Sequence, residues 1–487
     1  MKHMTKKLPA LIPLVLLVLF SSCQTRTARL CTSWTGTPKL DNGYSNPLLD
    51  FTFTADPTAV EYDGRLYVYA TNDQQQADVY PEKDNTYELI KSISVMSTAD
   101  MVNWTWHGTI DVEAIAPWIL ASWAPSIISR EEADGKTHFY LYFSDSGRGT
   151  GVLTSTSPLG PWTSPLEDDL VSPATAGIGD CPHPFDPGTV IDNDGTAWLA
   201  VGGSAKVRIM RLGSDFISID GAPVVMNAPF QFEANELNFI GGRYVYTYNV
   251  DWTEHTPWEY DVEKPTRCCM SYMLSDTPLD TDSWTYQDNY FKNPGEYGLG
   301  WGNNHTHLHK FKDHWYLFYH SMHLYPQLGY KGIYRSVCVD EVTVDETASS
   351  ISFVTGTKDG VKQLCAVDAF TEHPFSMAAG TKDVQYEATG TPGEMVAKSD
   401  TTGSLQVRGV LFNKTASKVK ICAEGQGRLE IRCDNPDGDL LAIIDIDSPS
   451  GYSLVSARLE KKVSSEASLC FIFEGESLKL KSWRFSR

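Results

Sequence analysis

The 487-residue chain carries 40 Lys and Arg against 61 Asp and Glu, a net charge of −21. That acidity argues against nucleic acid, anionic lipid or acidic polysaccharide as the main partner and leaves a neutral ligand as the better expectation. Hydrophobic residues at 41% and aromatics at 11% exclude a disordered chain, and 23 Tyr with 13 Trp suit strands or flat surfaces for sugars.

Lys2, Lys6 and Lys7 form a basic head before an apolar stretch from Leu8 to Phe20, then Ser21-Ser22-Cys23. The stretch is shorter than the ~20 residues of a spanning helix, so 1–23 reads as a signal peptide. The two serines before Cys23 resemble a bacterial lipobox, which implies lipidation of Cys23. The protein is then expected in the periplasm or at the cell surface, held to the outer membrane only by that lipid. With three Lys and no acid in 1–23, the exported part carries (40 − 3) − 61 = −24. Nine of the ten cysteines remain after Cys23, an odd number with no zinc spacing. Mostly buried thiols with one or two bridges are expected, and none reads as catalytic.

No long amphipathic helix pattern follows. Instead five aromatic runs recur: GRLYVYAT (64–71), THFYLYFS (137–144), GTAWLAVGG (195–203), GRYVYTYN (242–249) and HWYLFYHS (314–321). Each follows a shorter strand and a tight turn, at a spacing of roughly 50 to 70 residues, the order of a four-stranded blade. An all-β fold results, a five-bladed β-propeller over 40–342. The short strands would line its axis and bring together their first residues, Asp56, Trp123, Asp186, Glu233 and His305. After a Thr/Ser/Gly/Lys-rich linker at 343–365, lighter alternating strands over 366–487 read as a C-terminal β-sandwich of jelly-roll type.

Glycosidic hydrolysis needs a proton donor at the leaving oxygen and a carboxylate across the sugar. Asp56, Asp186 and Glu233 are the carboxylates that the repeat converges. Asp56 and Asp186 precede Pro, which predicts extended backbone for both. Glu233 lies between Phe232 and Ala234 beside two like charges, so a raised pKa and the role of general acid are expected. Asp56 is then the general base, and Asp186 tunes Glu233 and orients sugar hydroxyls. Trp123 is a candidate sugar-stacking surface. His305 is expected to hold a Ca²⁺ ion through water. His307 and His309 alternate with it on one strand face, but no fourth zinc ligand is apparent.

The segments ADPTAVEYDGRLYVYATND, SWAPSI, FDPGTVIDNDG, FEANELNFIGGRYVYTYN, NNHTHLHKFKDHWYLFYH and YRSVCVDE resemble glycoside hydrolase family 43 over about residues 44–342. The resemblance implies a five-bladed propeller and an inverting exo-glycosidase. It would release arabinofuranosyl or xylosyl residues from neutral plant polysaccharide or oligosaccharide, first as an α-L-arabinofuranosidase. β-Xylosidase, β-galactofuranosidase, endo-arabinanase and a non-catalytic glycan-binding propeller are the alternatives; a monomer is expected. By the same resemblance Asp56, Asp186 and Glu233 keep the roles above, His305 lies near an axial metal and Arg335 near the sugar. Glu236, three residues past Glu233, is the alternative acid. Residues 366–487 more loosely resemble a family 6 carbohydrate-binding module, with Tyr386 and Tyr452 as candidate sugar contacts and Trp483 as a core residue.

Overall fold

The computed structural model describes Lys39 and residues 43–487; the signal peptide and Cys23 lie outside the described residues. Five antiparallel sheets surround one axis. The first blade is β1 (Ala55–Tyr62), β2 (Arg65–Thr71), β3 (Ser92–Thr98) and β4 (Trp104–Asp111). The second is β5 (Trp123–Glu131), β6 (Thr137–Asp145) and β7 (Gly149–Ser155). The third is β8 (Gly188–Ile191), β9 (Ala197–Val201), β10 (Arg208–Leu212) and β11 (Ile219–Val225). The fourth is β12 (Gln231–Ile240), β13 (Arg243–Val250), β14 (Met270–Ser275) and β15 (Thr285–Phe291). The fifth is β16 (Thr306–Phe311), β17 (His314–Ser321) and β18 (Ser336–Glu341). The five aromatic runs are the second strands, β2, β6, β9, β13 and β17. Their alternate residues, such as Val68, Leu141 and Phe318, are fully buried between blades.

Two blades depart from the expected four strands, each for a local reason. Outside β7, Pro158, Pro161 and Pro165 remove the amide hydrogens a fourth strand would need, so only isolated bridges form, at Thr150–Val171 and Thr154–Thr163. Outside β18, the chain before β1 takes the fourth place. Leu48 N–H bonds Val337 O at 2.8 Å, and Asn46 pairs with both backbone groups of Val339 at 2.8 and 2.9 Å. The beginning of the propeller thereby closes its last blade.

The expected linker is strapped to the propeller: Val354 N–H bonds Tyr290 O, Leu364 N–H bonds Asp100 O, and Thr357 bonds Asp340. Beyond it, one ladder runs through 402–411, 466–474, 416–433 and 479–486. It curls around a core that includes Leu405, Ile421, Phe471 and Trp483. The bend comes at Gly425, with φ +89°, where the register of the 416–433 strand slips against its partner. Trp483 is wholly buried, as its pattern predicts. Tyr386 packs on Phe51 of the propeller at 4.8 Å, so of the three aromatics only Tyr452 is exposed. The pair Met377–Ala378 adds a fifth strand to the first blade, beside β4. No disulfide forms among the described cysteines; Cys181, Cys268, Cys269 and Cys338 are buried thiols.

Candidate active site

Where the strands nearest the axis begin, a shared backbone turn fixes the direction of the residues at the pocket end. Asp56, Ala124, Asp186 and Ala234 adopt φ of +50°, +40°, +51° and +61°. In three of these blades the ladder slips at the same place. This left-handed turn aims each N–H at the preceding blade. Asp56 N–H reaches His320 Nδ1 at 3.2 Å, Ala124 N–H reaches Thr71 Oγ1 at 2.8 Å, and Asp186 N–H reaches Ser144 Oγ at 2.8 Å. Ala234 N–H reaches Asp186 Oδ2 at 2.8 Å. The extended backbone predicted for the two Asp-Pro pairs is therefore corrected. Capture of the amide by a neighbouring side chain outweighs the bias that proline imposes.

The same geometry corrects the register of the repeat. Asp56, Ala124, Asp186, Ala234 and His305 are equivalent, while Trp123 and Glu233 stand one residue ahead of that ring. Two residues further on, a second polar layer lies beneath it. Thr58 Oγ1 accepts Ile127 N–H at 3.2 Å, Ser126 Oγ accepts Thr189 N–H at 3.1 Å, and His307 Nε2 accepts Ala59 N–H at 3.0 Å. Both Glu236 oxygens accept Leu308 N–H, at 3.0 and 3.1 Å, and Oε1 takes His307 Nδ1 at 2.7 Å. Glu236 is thus a stitch between the fourth and fifth blades and lies outside the pocket, which removes it as the alternative acid. His307 is spent in the same belt. His309 is half-buried, and burial, with His307 beside it, pushes its pKa down to about 3.

Above the belt opens a cavity of about 100 Å³. Asp56, Asp186, Glu233, Trp123, His305 and Arg335 all line it, so the structure gathers every proposed catalytic and sugar-binding residue in one place. Tyr87, Phe185 and Asn303 line it too and were not foreseen. Tyr87 comes from the long excursion after β2; its carbonyl accepts Trp123 Nε1–H at 3.0 Å, and the two rings meet edge-on at 6.0 Å. Arg335 is consumed by acids. Nη1 donates to Asp56 at 2.8 Å, Nε and Nη2 grip Asp73 at 2.9 and 2.8 Å, and the guanidinium lies 4.9 Å from the Tyr87 ring centre. It fixes Asp56 more than it offers hydrogen bonds to a sugar. A signal for these supports existed in the sequence: four of the aromatic runs stop on or just before a polar residue, and Thr71, Ser144 and His320 stand at equivalent places.

The three carboxyls are driven apart electrostatically. Burial alone would raise Asp56, but Arg335, with His305 and His320, holds it well below the usual carboxylate range. Thr71 Oγ1–H adds a hydrogen bond to Oδ2 at 2.7 Å. Asp186 is raised by burial and by Asp56, against the counter-pull of His305 and the Ala234 amide. Glu233 is pushed up to about 8 by burial, then by Asp186 and Asp56, with His305 and an Asn303 hydrogen bond opposing. Its carboxyl therefore carries a proton at neutral pH. His305 is raised despite its burial, because it hydrogen-bonds Asp56 and faces all three acids. His320 goes the other way: burial lowers it, Nδ1 accepts Asp56 N–H, and Nε2–H donates to Asn303 O at 2.9 Å.

These residues fit a directly bound Ca²⁺ poorly. Ca²⁺ wants six to eight oxygens. No group of three or more His, Cys, Asp or Glu with metal-holding geometry occurs among the described residues, and the nearest histidine nitrogen, His305 Nδ1, already lies 3.4 Å from Asp56 Oδ1.

A pocket that pairs an ionised carboxylate with a protonated one supplies the two groups that a glycoside hydrolase needs. The chain belongs to glycosyl hydrolases family 43, whose sequence profile matches residues 44–347. It is 32% identical to the arabinoxylan arabinofuranohydrolase of Bacillus subtilis (strain 168), over 90% of each chain. It is 30% identical to that of Paenibacillus polymyxa, over 91% of this chain and 74% of the other. A crystal structure of a family 43 arabinoxylan arabinofuranohydrolase from Bacillus subtilis, in complex with cellotetraose, superposes with a TM-score of 0.85 at 30% identity. That match covers 92% of this chain and 98% of that one.

Proposed function

We propose that this hydrolase removes terminal α-L-arabinofuranosyl residues from neutral plant polysaccharide, arabinoxylan first, with inversion at the anomeric carbon. The carrying observation is the split between Asp56, held ionised by Arg335, and Glu233, held protonated by burial and two neighbouring acids. Glu233 delivers its proton to the leaving oxygen while Asp56 takes a proton from the attacking water. Asp186 keeps Glu233 basic enough to hold its proton, and its bond to Ala234 N–H ties it to the backbone beside that acid. Trp123, braced by Tyr87, faces the sugar ring. The two arabinoxylan-acting relatives support the choice of sugar.

A nitrophenyl panel of α-L-arabinofuranoside, β-D-xyloside and β-D-galactofuranoside, run beside arabinoxylan, tests the assignment. Arabinofuranoside should be cleaved fastest, with the opposite anomer seen first by NMR; retention or a preference for another sugar overturns it. The chain acts after export, anchored through a lipid on Cys23, and Cys23→Ser should move the enzyme from the membrane fraction to the soluble one. A Ca²⁺ ion near the axis would reach His305 only through water.

A further inference from the structure

We propose that Trp301 and Trp252 form the surface on which the leaving polysaccharide chain lies, a reading that rests on the hydrolase function above. The cavity, about 100 Å³, is small beside the ~300–1,000 Å³ of ordinary ligand pockets. It takes one sugar ring, so the remainder of a polymeric substrate must lie outside. The acid decides which way, because the oxygen that receives its proton belongs to the departing chain.

Each tryptophan stands within three residues of a partner of that acid. Glu233 on β12 pairs across the ladder with Asn249 on β13, and Trp252 lies three residues beyond Asn249. On the other side Asn303 lines the cavity and hydrogen-bonds Glu233, and Trp301 stands two residues before it. Among the described residues these are the exposed tryptophans, Trp301 at 53% and Trp252 at 40%, whereas Trp104 and Trp483 are almost wholly buried. Trp301 is also held in place. A side chain at Gly295 would collide with its ring, so one face of the indole rests on backbone and the rest meets solvent. The Trp301 loop is closed on itself by Asn293 Nδ2 donating to Gly302 O at 2.8 Å, and it is tied to the loop after β13 by Asn304 Nδ2 donating to Cys268 O at 3.2 Å. Fixed, uncharged aromatic surface is suited to the apolar face of a neutral sugar chain.

The test compares Trp301→Ala, Trp252→Ala and the double variant on arabinoxylan and on nitrophenyl α-L-arabinofuranoside, whose leaving group is a single ring and not a chain. In the double variant kcat/KM should fall roughly tenfold more on the polymer than on the aryl glycoside. Equal loss on both substrates, or no loss on the polymer, overturns the proposal. A second readout needs no turnover. In native gels containing arabinoxylan, the Glu233→Gln protein should be retarded and its Trp301→Ala/Trp252→Ala derivative should not. Retardation that survives this change but is lost on Tyr452→Ala would place the polymer on the C-terminal sheet instead and also overturn it. Retardation that depends on the tryptophans, with no arabinose released by the wild type, would sink the reaction and keep the surface. Arabinose release with no dependence on the tryptophans would do the reverse.

Discussion

The pocket and the belt beneath it are built from the same five strands, two residues apart, with similar polar side chains, and they do opposite things. In the belt, Glu236 gives both oxygens to Leu308 N–H and one to His307 as well, so its lone pairs are spent on holding two blades together. In the pocket, Glu233 faces Asp186 and Asp56 with His305 and Asn303 only partly easing its charge, and it keeps its proton up to about pH 8. A buried carboxyl becomes structural when backbone donors satisfy it, and a proton reservoir when other carboxyls surround it.

The strongest way to break this comparison is to neutralise each glutamate in turn. Glu233→Gln should lose about 10²- to 10⁴-fold in kcat while folding normally, since an amide cannot deliver the proton. Glu236→Gln should keep turnover but lose ~1–3 kcal/mol in denaturant unfolding, because a single amide oxygen must replace the two that accept from His307, Leu308 and Thr247. Equal activity losses would erase the distinction. Asp56→Asn should lower kcat by a similar 10²- to 10⁴-fold. Its stability cost should stay below the ~3–5 kcal/mol of a broken buried ion pair, because Arg335 keeps its two-pronged grip on Asp73.

How much of this was legible depended on what each residue pairs with. The blades were visible because β2, β6, β9, β13 and β17 repeat an aromatic period of two, which no helix explains. The three carboxyls were visible because the repeat gathers them. The register was not, since Trp123 and Glu233 open their strands as prominently as Asp56 does. Pro57, Pro125 and Pro187, one residue after the true ring positions, mark the alignment that the structure adopts. Asp73 and Tyr87 escaped because nothing local links them to Arg335, some 250 residues away in sequence. The curl of the C-terminal ladder is less legible because it accompanies register slips, one of them at Gly425, that no alternation pattern announces.

The pH dependence of stability sharpens the contrast further. Glu233 titrates near 4.5 in the unfolded chain and near 8 when folded. Below pH 4.5 both states hold the proton and the residue costs nothing. As pH rises toward 8 only the unfolded chain releases it, so stability drains across that window and levels above it. Asp186, also raised, adds to the same trend. Glu233→Gln removes the Glu233 contribution, so its Tm relative to wild type should climb between pH 5 and pH 8. A constant difference would mean that Glu233 is already ionised at neutral pH.

The smallest expected effect probes the belt where no charge is involved. Thr58→Val keeps the shape of a side chain that is 3% exposed but removes the acceptor for Ile127 N–H. A buried amide left without a partner should cost about 1 kcal/mol in denaturant unfolding. Asp56, two residues earlier, keeps its contacts with Arg335, Thr71 and His320, none of which passes through Thr58. Turnover on nitrophenyl α-L-arabinofuranoside should therefore hold. If turnover fell in step with stability, belt and pocket would be one cooperative unit, and the division of labour between layers two residues apart would fail.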